Sequence, residues 1–527
     1  MQLDTFLHHL HFSIDEIMPN HEVDWEDAPL PYKIYRNVPA IPLSLEIPLS
    51  LPNPSTTPTL EEIGHYLWYS FGLTQLCQLN SKKILFRRSI PSGGALYPNE
   101  LYIYLKIDDY PYGIYHYDVA HHRLILLREG NFDSYITEAL GNRCNIQSCF
   151  GAAFVSTMFW KNFFKYNNFS YRLQGLDSGV LIGQLLECAK QFGYTNGVYF
   201  QFLDRAINHL LGLSESEESV YAVVPLSTEL QTDWFHNDYR ENKTVTSHDL
   251  LQQIPPLAHE HLVRSKHVDE YPMISKINEA SMIESTAHFQ TFAHEERSQH
   301  NAHAVQLPKV ERLSYDFLQL CKQRYSPDAD FILTKWDATS LATLLQEARL
   351  SFPYYNDLDG KYINENARVS LYGCFYNVKD IENGAYAYNS KTHSIQPIRY
   401  GDLRYPLQSS MTMDNVSLFQ VPLCLHVIGK KDYYTRALGY RGYRIHQMEA
   451  GILVHKLVFA ATAMGMGGHP LLSFDTNSCD QLYGIDAGNE TSLIQIPVGA
   501  YRARNWLKGI YVFRSTPAIG VLFTRLI

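Results

Sequence analysis

Two groups of residues in the first half of the sequence have the types and spacing to act on a flat, anionic ligand. The string RRSIPSGGALYPNELY sets the guanidinium groups of Arg87 and Arg88 beside rigid Pro91, the hydroxyl of Ser92 and the pair Gly93 and Gly94. Arginine forks grip phosphate, glycines let backbone N–H groups come close, and a serine hydroxyl adds a donor. On chemistry alone the string reads equally well as a tight turn beside a structural arginine. Further on, WKNFFKYNNF carries Lys165 and Tyr166 side by side. Either can handle a proton, but with unperturbed pKa values of about 10 each needs burial or a neighbouring charge to act as a base at neutral pH. By residue type alone, Lys165 is a surface lysine after an aromatic run.

Other candidate sets are weaker. His8, His9 and His11 near the start, and His294, His300 and His303 in a polar stretch, lack acidic or cysteine partners at a recognised spacing. They read as solvated surface, and no metal is expected. Eight cysteines without a CxxC pair read as reduced, mostly buried thiols. A net charge of −10 with no cluster of Lys and Arg argues against nucleic acid. The longest apolar run, near Leu457 to Gly468, falls well short of the roughly 20 residues that cross a bilayer. The start carries Asp4 and no basic stretch, so it does not read as a signal peptide. A cytoplasmic protein with no membrane partner is the expectation.

The elements that must hold these residues come from a chain that is 45% hydrophobic and 19% charged over 527 residues, enough for two sizeable cores. ELYIYLKI from Glu100 alternates as a strand, and GIYHY from Gly113 reads as a second strand followed by a polar turn. Asp177 reads as the N-cap of a helix with Leu181, Leu185 and Cys188 on one face and Gly193 just past its end.

These elements recur. GIYHYDVAHHRLILLREG from Gly113 matches GAYAYNSKTHSIQPIRYG from Gly384, pairing Tyr115 with Tyr386, Tyr117 with Tyr388, His122 with His393 and Gly130 with Gly401. YRLQGLDSG from Tyr171 matches YRIHQMEAG from Tyr443 in almost the same register. Arg172 thus falls on Arg444, Asp177 on Glu449, Gly179 on Gly451 and Gly193 on Gly465. Two blocks in one order and register indicate a duplicated α+β domain, with the second copy's helix spanning about Ala450 to Met464. The predicted layout is an N-terminal arm or small module over 1–56, a first domain over 57–230, a polar, His-rich linker over 231–310 and a degenerate second domain over 311–527.

The copies are not chemically equal. Ser351 to Gly384 is ten residues shorter than Ser70 to Gly113, YINENARVSLYG keeps nothing of the Pro-Ser-Gly-Gly string, and Ala437 and Leu438 stand in for Lys165 and Tyr166. Because Arg444 and Glu449 repeat Arg172 and Asp177, Arg172 reads as a structural arginine paired with Asp177 or a helix end, outside catalysis.

The string R-x-x-P-S-G-G-x-L-Y-P-x-E-L-Y from Arg88 to Tyr102, followed by G-x-Y-x-Y at Gly113 to Tyr117, by Lys165 and Tyr166, and by Tyr171, Arg172 and Gly179, resembles the SagB/ThcOx/McbC-type azoline dehydrogenases of the nitroreductase superfamily. The resemblance covers residues 29–225 well and the second half as a diverged copy. It implies two nitroreductase-like halves acting as an intrachain pseudo-dimer, with FMN held near Arg87, Arg88, Pro91, Ser92, Gly93 and Gly94 and its ring in the cleft between the halves. It nominates Lys165 as proton acceptor or as the group that lowers its neighbour's pKa, Tyr166 as base or proton relay, and Gln184 as a contact to flavin or substrate. One FMN per chain, oxidation of azoline rings on a ribosomally made precursor peptide and reoxidation by O2 follow from the same resemblance. A cyclodehydratase partner and a homodimer stay open. Two other readings compete: an NAD(P)H-dependent nitro or flavin reductase, and a non-catalytic scaffold that binds a peptide or partner.

Overall fold

The computed structural model describes residues 1–18, 22–47, 55–80, 83–229, 232, 234–235, 244–292, 303–360, 368–503 and 507–510. Each half is built on an antiparallel sheet. In the first, strands follow the order Ala40–Pro42, Arg123–Glu129, Gly113–Asp118, Asn99–Leu105, Gly151–Met158, Glu218–Ser227, Thr195–Asn196. The second repeats it as Val305–Gln306, Ser394–Tyr400, Gly384–Asn389, Ser370–Phe375, Leu423–Lys430 and Glu490–Tyr501, with Gly467–Gly468 and Phe331–Ile332 both on the last strand.

The copies share irregularities as well as order. Register shifts fall between Ile114 and Tyr115 and between Val155 and Ser156 in the first half, and at the matching Ala385/Tyr386 and Val427/Ile428 in the second. The Tyr117 hydroxyl meets His122 Nδ1 at 2.8 Å, as Tyr388 meets His393 at 2.9 Å. Bulges carried through a duplication are design features of the sheet, not noise. The strand Asn99–Leu105 is buried on both faces rather than alternating, because helices cover one side and the Phe132–Ala139 region the other.

Between the sheets run two long helices, Ser170–Phe192 and Tyr440–Ala463. Both are buried along almost their whole length, polar residues such as Arg172, Asp177, Gln184, Arg444 and Glu449 included. Asp177 therefore lies inside its helix and is not the N-cap that its residue type suggested. Gly175 and Gly179 look like breakers in the sequence, yet they permit the crossing: a Cβ at Gly175 would sit 2.7 Å from Gln447 Cβ, and one at Gly179 would run into the Met448 carbonyl. Gly193 and Gly465 both adopt left-handed φ, 74° and 73°, past the helix ends. Stacked beside this crossing are the equivalent Tyr171 and Tyr443, centroids 5.8 Å apart.

The stretches expected as arm and linker also correspond to one another. In the last turn of helix Leu3–Phe12, His11 is buried and bonds the Tyr443 hydroxyl at 3.0 Å. Helix Pro272–Ala280 ends beside Ser281, whose hydroxyl meets Tyr171 at 3.4 Å. Leu43 N donates to His122 O and Leu307 N to His393 O in the same way. His11 is thus a core residue rather than solvated surface; His8 and His303 are exposed, and His294 and His300 lie outside the described residues. The arginines also depart from the expected pairing. Arg172 donates to the Leu10 and Leu493 carbonyls, and Arg444 to Asp204 and Asn278, so neither pairs with the carboxylate five residues on.

The halves are further tied by a three-stranded sheet in which Leu507–Ile510 of the second pairs with Leu73–Asn80 of the first, itself paired with Lys83–Arg88. Seven cysteines, Cys144, Cys149, Cys188, Cys321, Cys374, Cys424 and Cys479, are buried free thiols. No helix among the described residues is long and apolar enough to cross a membrane.

Candidate functional site

After Arg88 the chain turns through Pro91–Tyr97 before entering strand Asn99–Leu105. Gly94, Ala95 and Tyr97 take φ values of 63°, 57° and 48°, a run of left-handed residues that only contacts can hold. Tyr97 N donates to Ser92 Oγ at 2.9 Å, Ser92 Oγ donates to Asp177 Oδ2 at 2.6 Å, and Gly93 N donates to Asp177 at 3.3 Å. Asp177 and Leu173 lie one turn apart on the first long helix, and a Cβ at Gly93 would sit 2.8 Å from Leu173 Cδ2. One helix face therefore both bonds and packs the turn.

Arg88 is buried between the rings of Phe71 and Tyr97, its Cζ 3.9 and 4.4 Å from their centroids. Its Nη2 donates to Pro31 O at 2.7 Å, while Nε and Nη1 have no acceptor. Burial lowers its pKa, but a guanidinium stays charged. Arg324, from the second half, is buried too, donates through Nη1 to Ser326 at 3.0 Å and leaves Nε without an acceptor. Burial pushes it down to about 10, and Tyr97 and Arg87 are among the groups whose charge it feels. Arg87 lies over Tyr325, 5.0 Å from the ring centroid. Buried guanidinium donors left idle by the protein fit an anion such as the phosphate of FMN.

The short helix Trp160–Tyr166 is anchored by buried Phe163 and Phe164 and stops where Asn167 takes φ 47°. Its last two residues reach the glycine turn: a Cβ at Gly94 would lie 2.6 Å from Tyr166 Oη and 2.9 Å from Lys165 Nζ. Lys165 Nζ also lies 4.6 Å from the Tyr166 ring centroid and 5.5 Å from that of Trp25, an exposed residue of the N-terminal segment. Burial lowers the Lys165 pKa and raises that of Tyr166, the latter with help from the Asp177 charge. The amine is driven toward its neutral form and the phenol kept protonated, which sets a proton acceptor beside a donor.

Arg88, Pro91, Ser92, Gly93, Gly94, Lys165 and Tyr166 thus share one region, but with changed parts. Ser92 Oγ is engaged by Asp177, so the serine organises the turn instead of pointing a free donor outward. Gln184 lies in the helix crossing, where its amide donates to Tyr69 O at 2.7 Å and its oxygen meets His455 Nε2 at 2.6 Å. Both ends of that amide are taken by protein groups, which leaves it little to offer a ligand. Sequence reasoning missed Asp177 and Arg324; the first was mistaken for a cap, and the second lies where the repeat gives no signal.

In the second half, Glu449 stands where Asp177 does in the first. Arg368 donates to it through Nε at 2.9 Å and Nη2 at 2.5 Å, and bridges onward to Asp359. Where Asp177 receives the Ser92 hydroxyl and the Gly93 amide, Glu449 thus receives a guanidinium. The segment 361–367, which precedes Arg368, lies outside the described residues.

Residues 367–500 match the sequence profile of the Nitroreductase family. Over 170 residues the chain is 29% identical to the trifolitoxin-processing protein TfxB of Rhizobium leguminosarum bv. trifolii, a match covering 31% of this chain and 45% of the relative. The chain therefore spans under half the length of that curated relative. A putative nitroreductase from Anabaena variabilis has the same fold, with a TM-score of 0.72 at 21% identity over 95% of this chain and 99% of that one. By sequence, residues 367–500 thus match the Nitroreductase family, and the chain, as two α+β halves in tandem, shares its fold with that solved structure along nearly its whole length.

Proposed function

We propose that the chain is an FMN-dependent oxidoreductase that binds one FMN, in its first half, and dehydrogenates azoline rings, or another residue, on a ribosomally made precursor peptide. The observation that carries this reading is the inequality of the two halves. The first sets Lys165 and Tyr166 against Gly94 and leaves donors of buried Arg88 idle, whereas in the second the carboxylate at the position of Asp177, Glu449, is bound by Arg368. Arg88 and Arg324 would hold the phosphate, with the Pro91–Gly94 turn giving the backbone room to approach the ligand.

Bound FMN would supply a hydride acceptor. Aromatising an azoline removes one hydride and one proton, and the chain must take the proton. Lys165, its amine destabilised as a cation by burial, suits that task, while the Tyr166 hydroxyl stays a hydrogen-bond donor beside it. Similarity to a trifolitoxin-processing protein supports a peptide substrate. A cyclodehydratase partner and O2 as the final electron acceptor belong to the same reading.

The test is the visible spectrum of the purified protein with released flavin quantified per chain, followed by incubation with an azoline peptide in air. About one FMN per chain, lost in Arg88→Ala, together with a two-mass-unit decrease of the peptide, is the expected outcome. Rapid bleaching of the flavin by NADPH without peptide oxidation would favour a nitro or flavin reductase. A colourless chain that FMN cannot reconstitute would leave the scaffold.

A further inference from the structure

The site contains a carboxyl group that the proposed chemistry does not use. Asp177 is buried on the first long helix, and its oxygens are met by the Ser92 hydroxyl and the Gly93 amide. Among the described residues, no Lys or Arg side chain pairs with it. Its counterpart Glu449 is held by Arg368. Burying a carboxylate without a cation lowers fold stability, and the first half keeps one where the second has supplied a partner.

What Asp177 holds explains why it is there. Ser92 Oγ links it to Tyr97 N, closing a turn with three left-handed residues, and Gly94 within that turn is the surface on which Tyr166 Oη and Lys165 Nζ rest. At the far end, the Tyr97 ring carries the Arg88 guanidinium and its hydroxyl accepts from Arg88 N at 3.3 Å. We propose that Asp177 is a positioning residue of the flavin site, fixing the Ser92–Tyr97 turn so that Arg88, Lys165 and Tyr166 share one geometry. This rests on the reading that FMN binds there. A carboxylate accepts from both turn donors at once; an amide of the same shape offers only one acceptor atom.

Asp177→Asn separates positioning from ordinary structural support. In the full chain at pH 8, apoprotein melting should stay level or rise, because a buried uncompensated charge is removed, while the FMN dissociation constant measured by flavin fluorescence rises about tenfold. Hydrogen exchange of the Gly93–Tyr97 amides in the apoprotein should speed up. Unchanged FMN affinity in the variant overturns the proposal, and so does a fall in melting temperature that parallels the loss of flavin. If the native chain takes up no FMN, the functional reading falls, and exchange alone decides the role of Asp177: unaltered protection of the turn in the variant refutes it.

Discussion

Gly179 and Gly451, the same position in the two halves, meet backbone to backbone where the long helices cross. A Cβ built on Gly451 would come within 2.9 Å of Gly179 Cα, and one on Gly179 would strike the Met448 carbonyl. The contact joins the halves as a subunit interface would, but within one chain. Alanine at either position forces the helices apart and should destabilise the fold by about 2 kcal/mol or more. Urea unfolding of Gly179→Ala and Gly451→Ala reads this directly, and wild-type midpoints would contradict so close a crossing.

The second half's ion cluster is structural, so breaking it should leave the flavin alone. Arg368→Ala strands Glu449 and Asp359 in the interior and should cost about 3–5 kcal/mol. FMN content per folded chain should stay at the native value. A flavin loss exceeding the loss of folded protein would show that the second half takes part in binding through this cluster.

Arg324 is the opposite case, a second-half residue within reach of the charge of first-half Tyr97 and Arg87. Arg324→Ala should raise the FMN dissociation constant about tenfold or more, as removal of a charge-assisted contact does. Riboflavin, which lacks the phosphate, should bind both proteins alike. Equal losses for the two ligands would place Arg324 away from the phosphate.

Proton handling can be tested apart from cofactor binding. Lys165→Ala and Tyr166→Phe should retain FMN and lower azoline turnover, by about 10²–10⁴-fold for the residue that moves the proton. With Lys165 as acceptor and Tyr166 as donor, the lysine change should be the more severe. Gly94→Ala should resemble both, since its methyl would push on the two side chains at once.

Stability should carry the imprint of Asp177, whose carboxyl burial pushes up to about 7. An acid with a raised folded-state pKa stabilises the fold fully below its unfolded value, and that contribution is lost as pH rises through the folded one. Between about pH 4 and pH 7 the wild type should therefore lose stability relative to Asp177→Asn, by a few kcal/mol. Melting curves of both proteins across that range provide the comparison. Parallel curves would mean that the carboxyl titrates as it does in the unfolded chain.

Much of this architecture was legible in the sequence because duplication amplifies weak signals. Tyr117 with His122, or Gly193 after its helix, says little alone; recurring at Tyr388, His393 and Gly465, the same residues define a register. The Pro-Ser-Gly-Gly string and the Lys-Tyr pair were visible by residue type, and the turn and short helix bring them together. What the sequence hid was pairwise geometry. Glycines in the long helices look like breaks until the partner helix is in place, and Asp177 looks like a cap until the helix is seen to begin seven residues earlier. The correspondence of Leu3–Phe12 with Pro272–Ala280 was obscured because it survives in contacts with Tyr443 and Tyr171 rather than in residue identity. Arg324 has no such marker, since a lone arginine carries no periodicity.

The pairing of Leu507–Ile510 with Leu73–Asn80 imposes an order of events on biosynthesis. The strand that ends in Arg87 and Arg88 hangs from a sheet whose outer member is translated more than four hundred residues later. While the ribosome is still at work, that edge stands open and the arginines have only part of their scaffold. A prematurely released chain would expose the same unpaired strand, a feature that proteolysis and chaperones act on. An anion held by these arginines would therefore be best captured after synthesis, once the late-made segment has folded back against strand Leu73–Asn80.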